Sequence, residues 1–348
     1  MTFWQGRRVL LTGHTGFKGA WLALWLAHEG ARVVGFSAPP PSAPSLYEDA
    51  RVRDVLHDEV LGDVRSADDV ARAVAGAEVV LHLAAQAIVR ASLVDPVATW
   101  ETNVVGTANV LHALTDATRA VVVVTSDKCY RDIESGRPMR EEDPLGGKDP
   151  YSASKAAQEL VAAAHRQTVL AGRGVALATA RAGNVIGGGD WAADRLVPDL
   201  MRAALAGEPL VLRNPDAVRP WQHVLNPLSG YLTLAERLAG ADGAAYAEAW
   251  NFGPAAGDAQ PVSWVVERIR ERWPGEPPAV EIAADPDAGK EATLLRLDST
   301  KAAERLGWTP GWDLAQGLDA TVEWYSGPAG ARERTLGQVR AFVQGSAA

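Results

Sequence analysis

The chain begins with short apolar runs that alternate with longer amphipathic stretches. Each run is nearly continuous in apolar residues, which is typical of a strand buried on both faces of a sheet. The runs lie near residues 8–12, 32–36, 59–61, 79–83, 120–125 and 175–180. Strands that alternate with helices in this way form a parallel sheet covered by helices on both sides. We therefore predict an α/β protein built on a doubly wound parallel sheet.

The regular alternation weakens after residue 184. Proline, glycine, tryptophan and arginine concentrate between residues 184 and 222, and an apolar helix is predicted near 225–239. A chain of 348 residues also exceeds the usual size of a single hydrophobic core. We therefore predict two units made of non-contiguous segments. The main domain takes 1–182 plus about 222–254, and a smaller C-terminal α/β lobe takes about 183–221 plus 255–348.

A glycine pattern follows the first apolar run directly. Gly13, Gly16 and Gly19 stand between a predicted strand and an apolar helix at residues 20–27. In this setting the first glycine permits a tight turn, the second lets the backbone approach a pyrophosphate, and the third allows close packing. The free N–H groups at the helix N-terminus attract the anion. The pattern predicts a Rossmann-type dinucleotide site, at which Thr15 and Lys18 add polar contacts to the phosphates.

Tyr151 and Lys155 stand four residues apart, which places a phenol and an ammonium on one face of a helix. Asp149 is suited to cap that helix and Pro150 to occupy its first turn. A cation held close favours the phenolate, which makes Tyr151 a base able to remove a proton from a sugar hydroxyl. A lone pair of this kind is more often a solvated helix surface, so its weight depends on the glycine turn upstream.

Composition and charge narrow the function classes. Hydrophobic residues make up 47% of the chain and charged residues 22%, as in ordinary globular proteins. A net charge of −9 argues against general binding to nucleic acid or to acidic membranes. The single cysteine excludes an internal disulfide, and the seven histidines show no spacing that would predict a metal site. The chain lacks an apolar stretch of the roughly 20 residues that span a bilayer, which predicts a cytoplasmic location.

Further segments carry a recognisable pattern: His82–Gln86, Thr102–Thr107, Thr125–Tyr130, Asp143–Pro150, Arg181–Trp191, Arg219–Val224, Asn251–Pro254 and Leu306–Trp308. With the Tyr151 and Lys155 pair, they make the sequence resemble the extended branch of the short-chain dehydrogenase/reductase family. Within that branch it is similar to the CDP-glucose 4,6-dehydratases over nearly its whole length. The resemblance implies NAD as cofactor, a nucleotide sugar as substrate, and a homodimer joined by helices near 98–115 and 151–170.

The resemblance also implies a redox-neutral dehydration of the glucose. C4 is oxidised while Tyr151 removes the hydroxyl proton, the C5 proton and C6 hydroxyl are then lost, and hydride returned to C6 gives a 4-keto-6-deoxyglucose. Asp127 would protonate the departing C6 oxygen, which requires a pKa raised by burial. Ser126 would donate a hydrogen bond to the C4 oxygen. The implied catalytic residues are Ser126, Asp127, Lys128, Tyr151 and Lys155.

Two binding sets follow from the same resemblance. The main domain would hold NAD, and the implied cofactor-binding residues are Gly13, His14, Thr15, Gly16, Phe17, Lys18, Gly19, Asp63, Val64, Leu83, Ala84, Ala85, Asn103, Thr125, Tyr151 and Lys155. The C-terminal lobe would hold the nucleotide sugar, and the implied substrate-binding residues are Gln86, Asn184, Arg195, Arg219, Trp221 and Lys290. Arginine suits a diphosphate because its guanidinium binds phosphate through two hydrogen bonds.

Three points stay open from the sequence. Lys128 stands where thymidine-sugar relatives have a glutamate, and it can act as the C5 base only if desolvation or neighbouring charge lowers its pKa. The carboxylate that often binds the adenosine ribose is missing at residues 35–37, which leaves both NAD and NADP open, although Asp63 and Val64 suit adenine. Lys290 stands where close relatives carry histidine, which leaves the nucleotide base open.

The main alternative is a nucleotide-sugar 4-epimerase, which shares the glycine turn and the Tyr151 and Lys155 pair. Such an enzyme has no need of Asp127 and Lys128. A dehydratase for a different nucleotide sugar is a second alternative. A cofactor sensor without turnover would keep only the dinucleotide site, and the intact set of Ser126, Tyr151 and Lys155 argues against it.

Overall fold

The computed structural model describes residues 2–131, 136–193, 195–212, 214–283 and 295–346. The strands are β1 (Arg8–Thr12), β2 (Arg32–Ser37), β3 (Asp58–Leu61), β4 (Val79–His82), β5 (Ala120–Val124), β6 (Ala176–Ala182), β7 (Asn184–Ile186), β8 (Leu210–Leu212), β9 (Val218–His223), β10 (Ala249–Phe252), β11 (Ala259–Pro261) and β12 (Val280–Ile282). The helices are α1 (Phe17–His28), α2 (Leu46–Asp49), α3 (Ala67–Val74), α4 (Val89–Val94), α5 (Pro96–Trp100), α6 (Gly106–His112), α7 (Pro150–Gln167), α8 (Leu196–Ala206), α9 (Leu225–Leu238), α10 (Val262–Arg272), α11 (Thr300–Leu306), α12 (Leu314–Ser326) and α13 (Ala331–Ser346).

Seven parallel strands form the central sheet, in the order β3-β2-β1-β4-β5-β6-β10. The predicted parallel sheet is confirmed, and the six predicted strands match β1 to β6 closely. The strand order reverses between β1 and β4. Ligands of open α/β sheets bind at such a reversal, beyond the carboxyl ends of the strands.

Helices cover both faces of this sheet, as near-continuous apolar strands require. Val122 and Val124 of β5 pack into a core shared with α1 and α9, while Val121 and Val123 pack into a second core with α3, α6 and α7. Both cores exclude solvent, since these strand residues are buried. The sheet therefore gives a rigid base to the residues that follow its strands.

The predicted start of the helix that carries Tyr151 is confirmed. The Asp149 carboxylate accepts a hydrogen bond from the Ser152 N–H at 2.9 Å, and Pro150 occupies the first turn of α7. This cap satisfies one N–H group that the helix itself cannot pair. It fixes the entry of α7, and so places Tyr151 at the end of the helix nearest the site.

Two small sheets lie outside the central one. The first pairs β7, β9 and β11, and the second pairs β8 and β12. The seventh strand of the central sheet, β10, lies between β9 and β11 in sequence. The division of the chain into two non-contiguous domains stays a prediction. None of the helices in the described ranges is both long and apolar enough to cross a membrane.

Candidate active site

The turn after β1 brings the backbone very close to the end of β4. Gly13 has a φ of +78°, which side chains rarely adopt, and an added Cβ would lie 2.8 Å from the Ala84 nitrogen. An added Cβ on Gly19 would lie 2.0 Å from the Gly13 oxygen. α1 begins after Gly16 without a side chain that caps its N–H groups. These glycines and free N–H groups fit the pyrophosphate of a dinucleotide.

The His14 side chain lies in a buried polar cluster under this turn. Its Nε2 is 2.8 Å from Glu59 Oε1, which also accepts a hydrogen bond from the Tyr47 hydroxyl at 2.8 Å. Arg53 pairs with the other Glu59 oxygen at 3.1 Å. Burial lowers the pKa of His14 despite the nearby carboxylate, so the ring is neutral near pH 7. Gly35 leaves space for the ring, since an added Cβ would lie 2.8 Å from Nδ1.

Thr15 makes contacts that the sequence did not predict. Its hydroxyl lies 2.7 Å from Ser37 Oγ and donates to the Ala38 carbonyl oxygen at 2.9 Å. Ser37 ends β2, where many NAD-binding proteins have a carboxylate for the ribose. The Thr15 hydroxyl therefore ties the glycine turn to β2, and its contact with phosphate stays a prediction.

Lys18 places an amine within electrostatic range of the predicted acid. Burial and the Arg195 charge lower the Lys18 pKa to about 8, while Asp127 opposes this shift. Arg195 forms an ion pair with Asp190 at 3.0 Å. Phe17, the other predicted cofactor residue in this turn of α1, packs against the main core. The glycine turn thus contributes a cation, as well as backbone N–H groups, to the site.

The segment after β4 is fixed by two polar side chains. Thr12 Oγ1 accepts hydrogen bonds from two N–H groups of Leu83–Ala85, at 3.0 and 3.1 Å. Asn103 accepts from the Gln86 N–H at 2.8 Å, and its amide donates to the Gln86 carbonyl at 3.0 Å and to Ser154 Oγ at 2.8 Å. Asn103 lies in a π-helical turn, a distortion that frequently occurs at functional sites. These contacts hold the predicted cofactor segment between β1 and α7.

Ser126, Asp127 and Tyr151 meet where β5 ends. Ser126 Oγ donates to Asp127 Oδ1 at 2.9 Å and accepts from the Lys128 N–H at 3.2 Å. The Ser126 hydroxyl lowers the pKa of the Tyr151 phenol, which places the two side chains near each other. Burial raises the pKa of the Asp127 carboxyl, against the opposing charges of Lys128 and Lys18. A carboxyl with a raised pKa can carry the proton that a general acid must donate.

Tyr151 and Lys155 are both buried on α7, and burial dominates their protonation. It raises the Tyr151 pKa to about 12, and the nearby Ser126 hydroxyl offsets only part of this shift. The Lys155 amine donates to the Val124 carbonyl oxygen at 3.3 Å, and burial lowers its pKa to about 7. The phenol is therefore neutral in the ligand-free chain. Positive charge brought against it would be needed to favour the phenolate.

A buried ion pair lies one helical turn beyond Lys155. Glu159 and Arg181 are 4% and 3% exposed, and two hydrogen bonds of 3.0 and 2.9 Å join them. Glu159 also accepts from the Thr125 and Thr179 hydroxyls at 2.5 and 2.6 Å. Burial alone would raise the Glu159 pKa, but the Arg181 charge lowers it. The pair ties α7 to the ends of β5 and β6.

Three of the predicted substrate residues lie on or beside β7 and β9. Asn184 pairs with Trp221 in the register of these strands. Trp221 is 8% exposed, and its indole N–H has no hydrogen-bond partner among the described residues. The Arg219 guanidinium donates to the Val218 carbonyl at 3.1 Å. The unpaired indole N–H of Trp221 is available to a ligand.

Four other predicted residues lie apart from this cluster or outside the description. The Gln86 amide donates hydrogen bonds of 3.0 Å to the Ile88 carbonyl and to the Thr99 hydroxyl of α5. Asp63 pairs with Arg65 at 2.6 Å near the surface, and Val64 is buried. Lys290 lies outside the described residues. The binding roles of all four stay predictions.

The family described as GDP-mannose 4,6 dehydratase matches residues 10–321 of this chain. The chain belongs to this family. It is 45% identical over 332 residues to the CDP-glucose 4,6-dehydratase of Salmonella typhimurium. This alignment covers 93% of this chain and 91% of the relative. It is 29% identical over 335 residues to a dTDP-glucose 4,6-dehydratase of Xanthomonas campestris, which covers 91% of this chain and 92% of the relative.

Solved structures agree with membership in the GDP-mannose 4,6 dehydratase family. A UDP-glucose 4-epimerase of Thermus thermophilus in complex with NAD matches with a TM-score of 0.77 and 25% identity, covering 92% of this chain and 100% of that one. DesIV of Streptomyces venezuelae, a dTDP-glucose 4,6-dehydratase with NAD and TYD bound, matches with a TM-score of 0.72 and 27% identity, covering 91% and 96%. The predicted Rossmann-type fold and extended short-chain dehydrogenase/reductase membership are confirmed.

The sequence did not predict some residues that lie at this site. Glu159 follows Lys155 by four residues, so helical periodicity could have found it on the same face. Glu59 reaches His14 only because β3 pairs with β2. The ring of Tyr231 lies 6.0 Å from the Lys18 amine, although Tyr231 belongs to α9, which is far from the glycine turn in sequence. No local spacing signals contacts of this last kind.

Proposed function

We propose that the chain is a CDP-glucose 4,6-dehydratase, which converts CDP-D-glucose to CDP-4-keto-6-deoxy-D-glucose with NAD as cofactor. The observation that carries this proposal is the 45% identity, over 93% of the chain, to an enzyme of that name. The buried Asp127 beside Tyr151 supports it, since dehydration needs an acid in addition to the base. The dTDP-glucose relative is more distant, at 29% identity.

NAD fits the glycine turn, and when bound it accepts hydride from C4 and returns hydride to C6. The N–H groups at the start of α1 would hold its pyrophosphate. The segment Leu83–Ala85, which Thr12 holds directly and Asn103 holds through the next residue, Gln86, would line the cofactor on the side of β4. The two NAD complexes reported above share this fold at 25% and 27% identity.

The proposed steps assign one proton transfer to each side chain. Positive charge from bound NAD would favour the phenolate of Tyr151, which takes the proton of the C4 hydroxyl while Ser126 donates a hydrogen bond to the C4 oxygen. The resulting C4 ketone makes the C5 proton acidic. Lys128 stays the predicted residue for removal of the C5 proton, and Asp127 gives its proton to the C6 oxygen, which leaves as water. A proton that has exchanged with solvent is then added to C5, so the sugar loses only water.

We also propose that two copies of the chain pair through the surface formed by α4 to α7. Large apolar side chains are exposed on it, namely Leu93, Val94, Val97, Trp100, Val105 and Leu160. A single chain rarely leaves such a surface in water, and a two-fold dimer would cover it with the same surface of its partner.

We place the enzyme in the cytoplasm, where its one cysteine, the free and buried Cys129, would stay reduced.

The reaction is tested by incubating the protein with NAD and CDP-glucose in deuterated water. We expect a 4-keto-6-deoxy product with solvent deuterium at C5 and no net formation of NADH, because the C5 proton is exchanged while the hydride is returned. A C4 epimer that retains its C6 hydroxyl would contradict dehydration and identify an epimerase. NAD binding without any turnover would identify a sensor.

A further inference from the structure

The proposed steps use neither member of the buried ion pair between Glu159 and Arg181. The two side chains are only 4% and 3% exposed, so both charges have been removed from water. That removal costs free energy which the mutual attraction often fails to return, and apolar side chains of similar size often stabilise a protein equally well. Stability alone therefore does not account for the pair, and the groups that it binds indicate a second role.

The carboxylate of the pair holds the residue that precedes the catalytic turn, which we define as Ser126, Asp127 and Lys128. Thr125 directly follows β5 and is 6% exposed. Its hydroxyl donates a hydrogen bond to Glu159 Oε1 at 2.5 Å. The start of the catalytic turn is thereby attached to α7, the helix that carries the carboxylate.

The guanidinium of the pair holds the residue two positions after the catalytic turn. Tyr130 is 1% exposed, and its hydroxyl accepts a hydrogen bond from Arg181 Nη1 at 2.9 Å and donates one to Asn251 Oδ1 at 2.7 Å. The guanidinium carbon also lies 4.9 Å from the centre of the Tyr130 ring. The Nε and Nη2 groups of the same guanidinium bind Glu159. One planar group therefore binds the carboxylate and the phenol together.

These contacts form a closed path around the catalytic turn. Hydrogen bonds of 2.5 to 3.0 Å join four side chains in sequence, namely Thr125, Glu159, Arg181 and Tyr130. The two ions belong to α7 and β6, whereas the turn between the two flanking residues contains only a short 3-10 helix. The geometry of the catalytic turn therefore depends on the ion pair that holds both of its ends.

We propose that Tyr130 is a positioning residue for water loss, through which the Glu159 and Arg181 pair keeps Asp127 directed at the departing C6 oxygen. The inference rests on the proposed dehydration, in which Asp127 gives its proton to that oxygen. A proton donor has to lie within hydrogen-bond reach of its acceptor. A displacement of about 1 Å can therefore slow the step by about a hundredfold.

Tyr130→Phe tests the proposal because it removes only the hydroxyl that Arg181 and Asn251 bind. We expect water loss, followed in a single turnover with NAD and CDP-glucose, to slow by about tenfold to a hundredfold. C4 oxidation should change by less than about threefold, because Thr125 still holds the Ser126 end of the catalytic turn. Bound NADH should therefore accumulate, and its absorbance is a signature that a purely structural role would not produce.

Arg181→Lys provides a second, independent variant. It keeps a positive charge beside Glu159 but removes the planar group that also reaches Tyr130. We expect the same slowing of water loss and the same accumulation of bound NADH. The double variant Tyr130→Phe, Arg181→Lys should slow water loss no more than the stronger single variant, because both substitutions release the same end of the catalytic turn.

Thr118→Val is the matched control. The Thr118 hydroxyl is also fully buried, and it donates to the Ala77 carbonyl oxygen at 2.9 Å near the opposite end of β5. This variant should lower the melting temperature and leave the rates of both steps unchanged. An unaltered rate of water loss in either folded variant, or equal slowing of both steps, would overturn the proposal. Absence of dehydration in the unaltered protein would overturn the proposed function, and this inference with it.

Discussion

At the scale of single residues, burial shifts the pKa values of Lys155, Tyr151 and Asp127 towards their neutral forms. The Lys155 pKa is lowered to about 7 and the Tyr151 pKa is raised to about 12, in both cases chiefly by desolvation. The Asp127 pKa is raised for the same reason. Shifts of this kind concentrate at sites where protons are transferred, because a neutral acid and a neutral base can act near pH 7. They also cost stability.

Lys155→Met measures that cost. Lysine has an ordinary pKa of 10.5, so in the folded ligand-free chain its burial is unfavourable below about pH 7 and the penalty disappears as the pH rises towards 10.5. We expect the variant to be more stable than the unaltered protein by about 1 to 3 kcal/mol at pH 6, with the gain fading between pH 7 and 10.5.

Urea denaturation across this pH range gives the free energy of unfolding of both proteins. A Lys155→Met gain that grows with pH, or a variant less stable than the unaltered protein at pH 6, would contradict the assigned protonation of Lys155.

The sequence predicted residues whose partners lie nearby along the chain. Asp149 was correctly expected to cap the helix of Tyr151, and the raised pKa predicted for Asp127 is present. The contact between His14 and Glu59 could not be predicted, because it depends on the pairing of β3 with β2. The neutral resting state of Tyr151 was missed for a related reason. Spacing places Lys155 on the same helix face, but burial raises the pKa of Tyr151 and lowers the pKa of Lys155 itself.

At the scale of elements, the predicted strands are correct where a strand is buried on both faces of the sheet, because its sequence is then a continuous apolar run. β1 to β6 are of this kind or pair with such strands, and their positions agree with the sequence pattern. The small sheets were not resolved beforehand. β8 and β12 have three residues each and pair with each other from distant parts of the chain, so tertiary contact rather than local pattern creates them.

Glu159→Gln tests how strongly the buried ion pair binds α7 to the sheet. The variant leaves Arg181 buried without its counter-charge, so we expect a loss of about 3 to 5 kcal/mol in the free energy of unfolding. The double variant Glu159→Gln, Arg181→Met should regain part of this loss, because no unpaired charge remains.

The control for this element is Glu267→Gln, which affects an exposed pair with Arg270 at 2.9 Å. It should change the free energy of unfolding by less than about 1 kcal/mol. Denaturant titration of all three variants provides the comparison. Equal effects of Glu159→Gln and Glu267→Gln would show that the buried pair contributes no more than a surface contact.

At the scale of the whole molecule, the proposed dimer follows from the apolar surface of α4 to α7. Leu160 of α7 is 61% exposed there, and Leu160→Asp would place a charge within the interface. We expect this variant to elute as a monomer, measured by size-exclusion chromatography with light scattering. Leu205→Asp is the matched control, because Leu205 is 54% exposed on α8 and should leave the dimer intact. A monomeric unaltered chain would contradict the proposed dimer.

The central claim is that one hydride moves from C4 to C6 of the same sugar within a single site. Incubation of the protein with NAD and CDP-glucose deuterated at C4 tests it most directly. The account predicts a 4-keto-6-deoxy product that carries the deuterium at C6, observed by NMR. Deuterium retained at C4 of an epimerised sugar, or accumulated in free NADH, would contradict it.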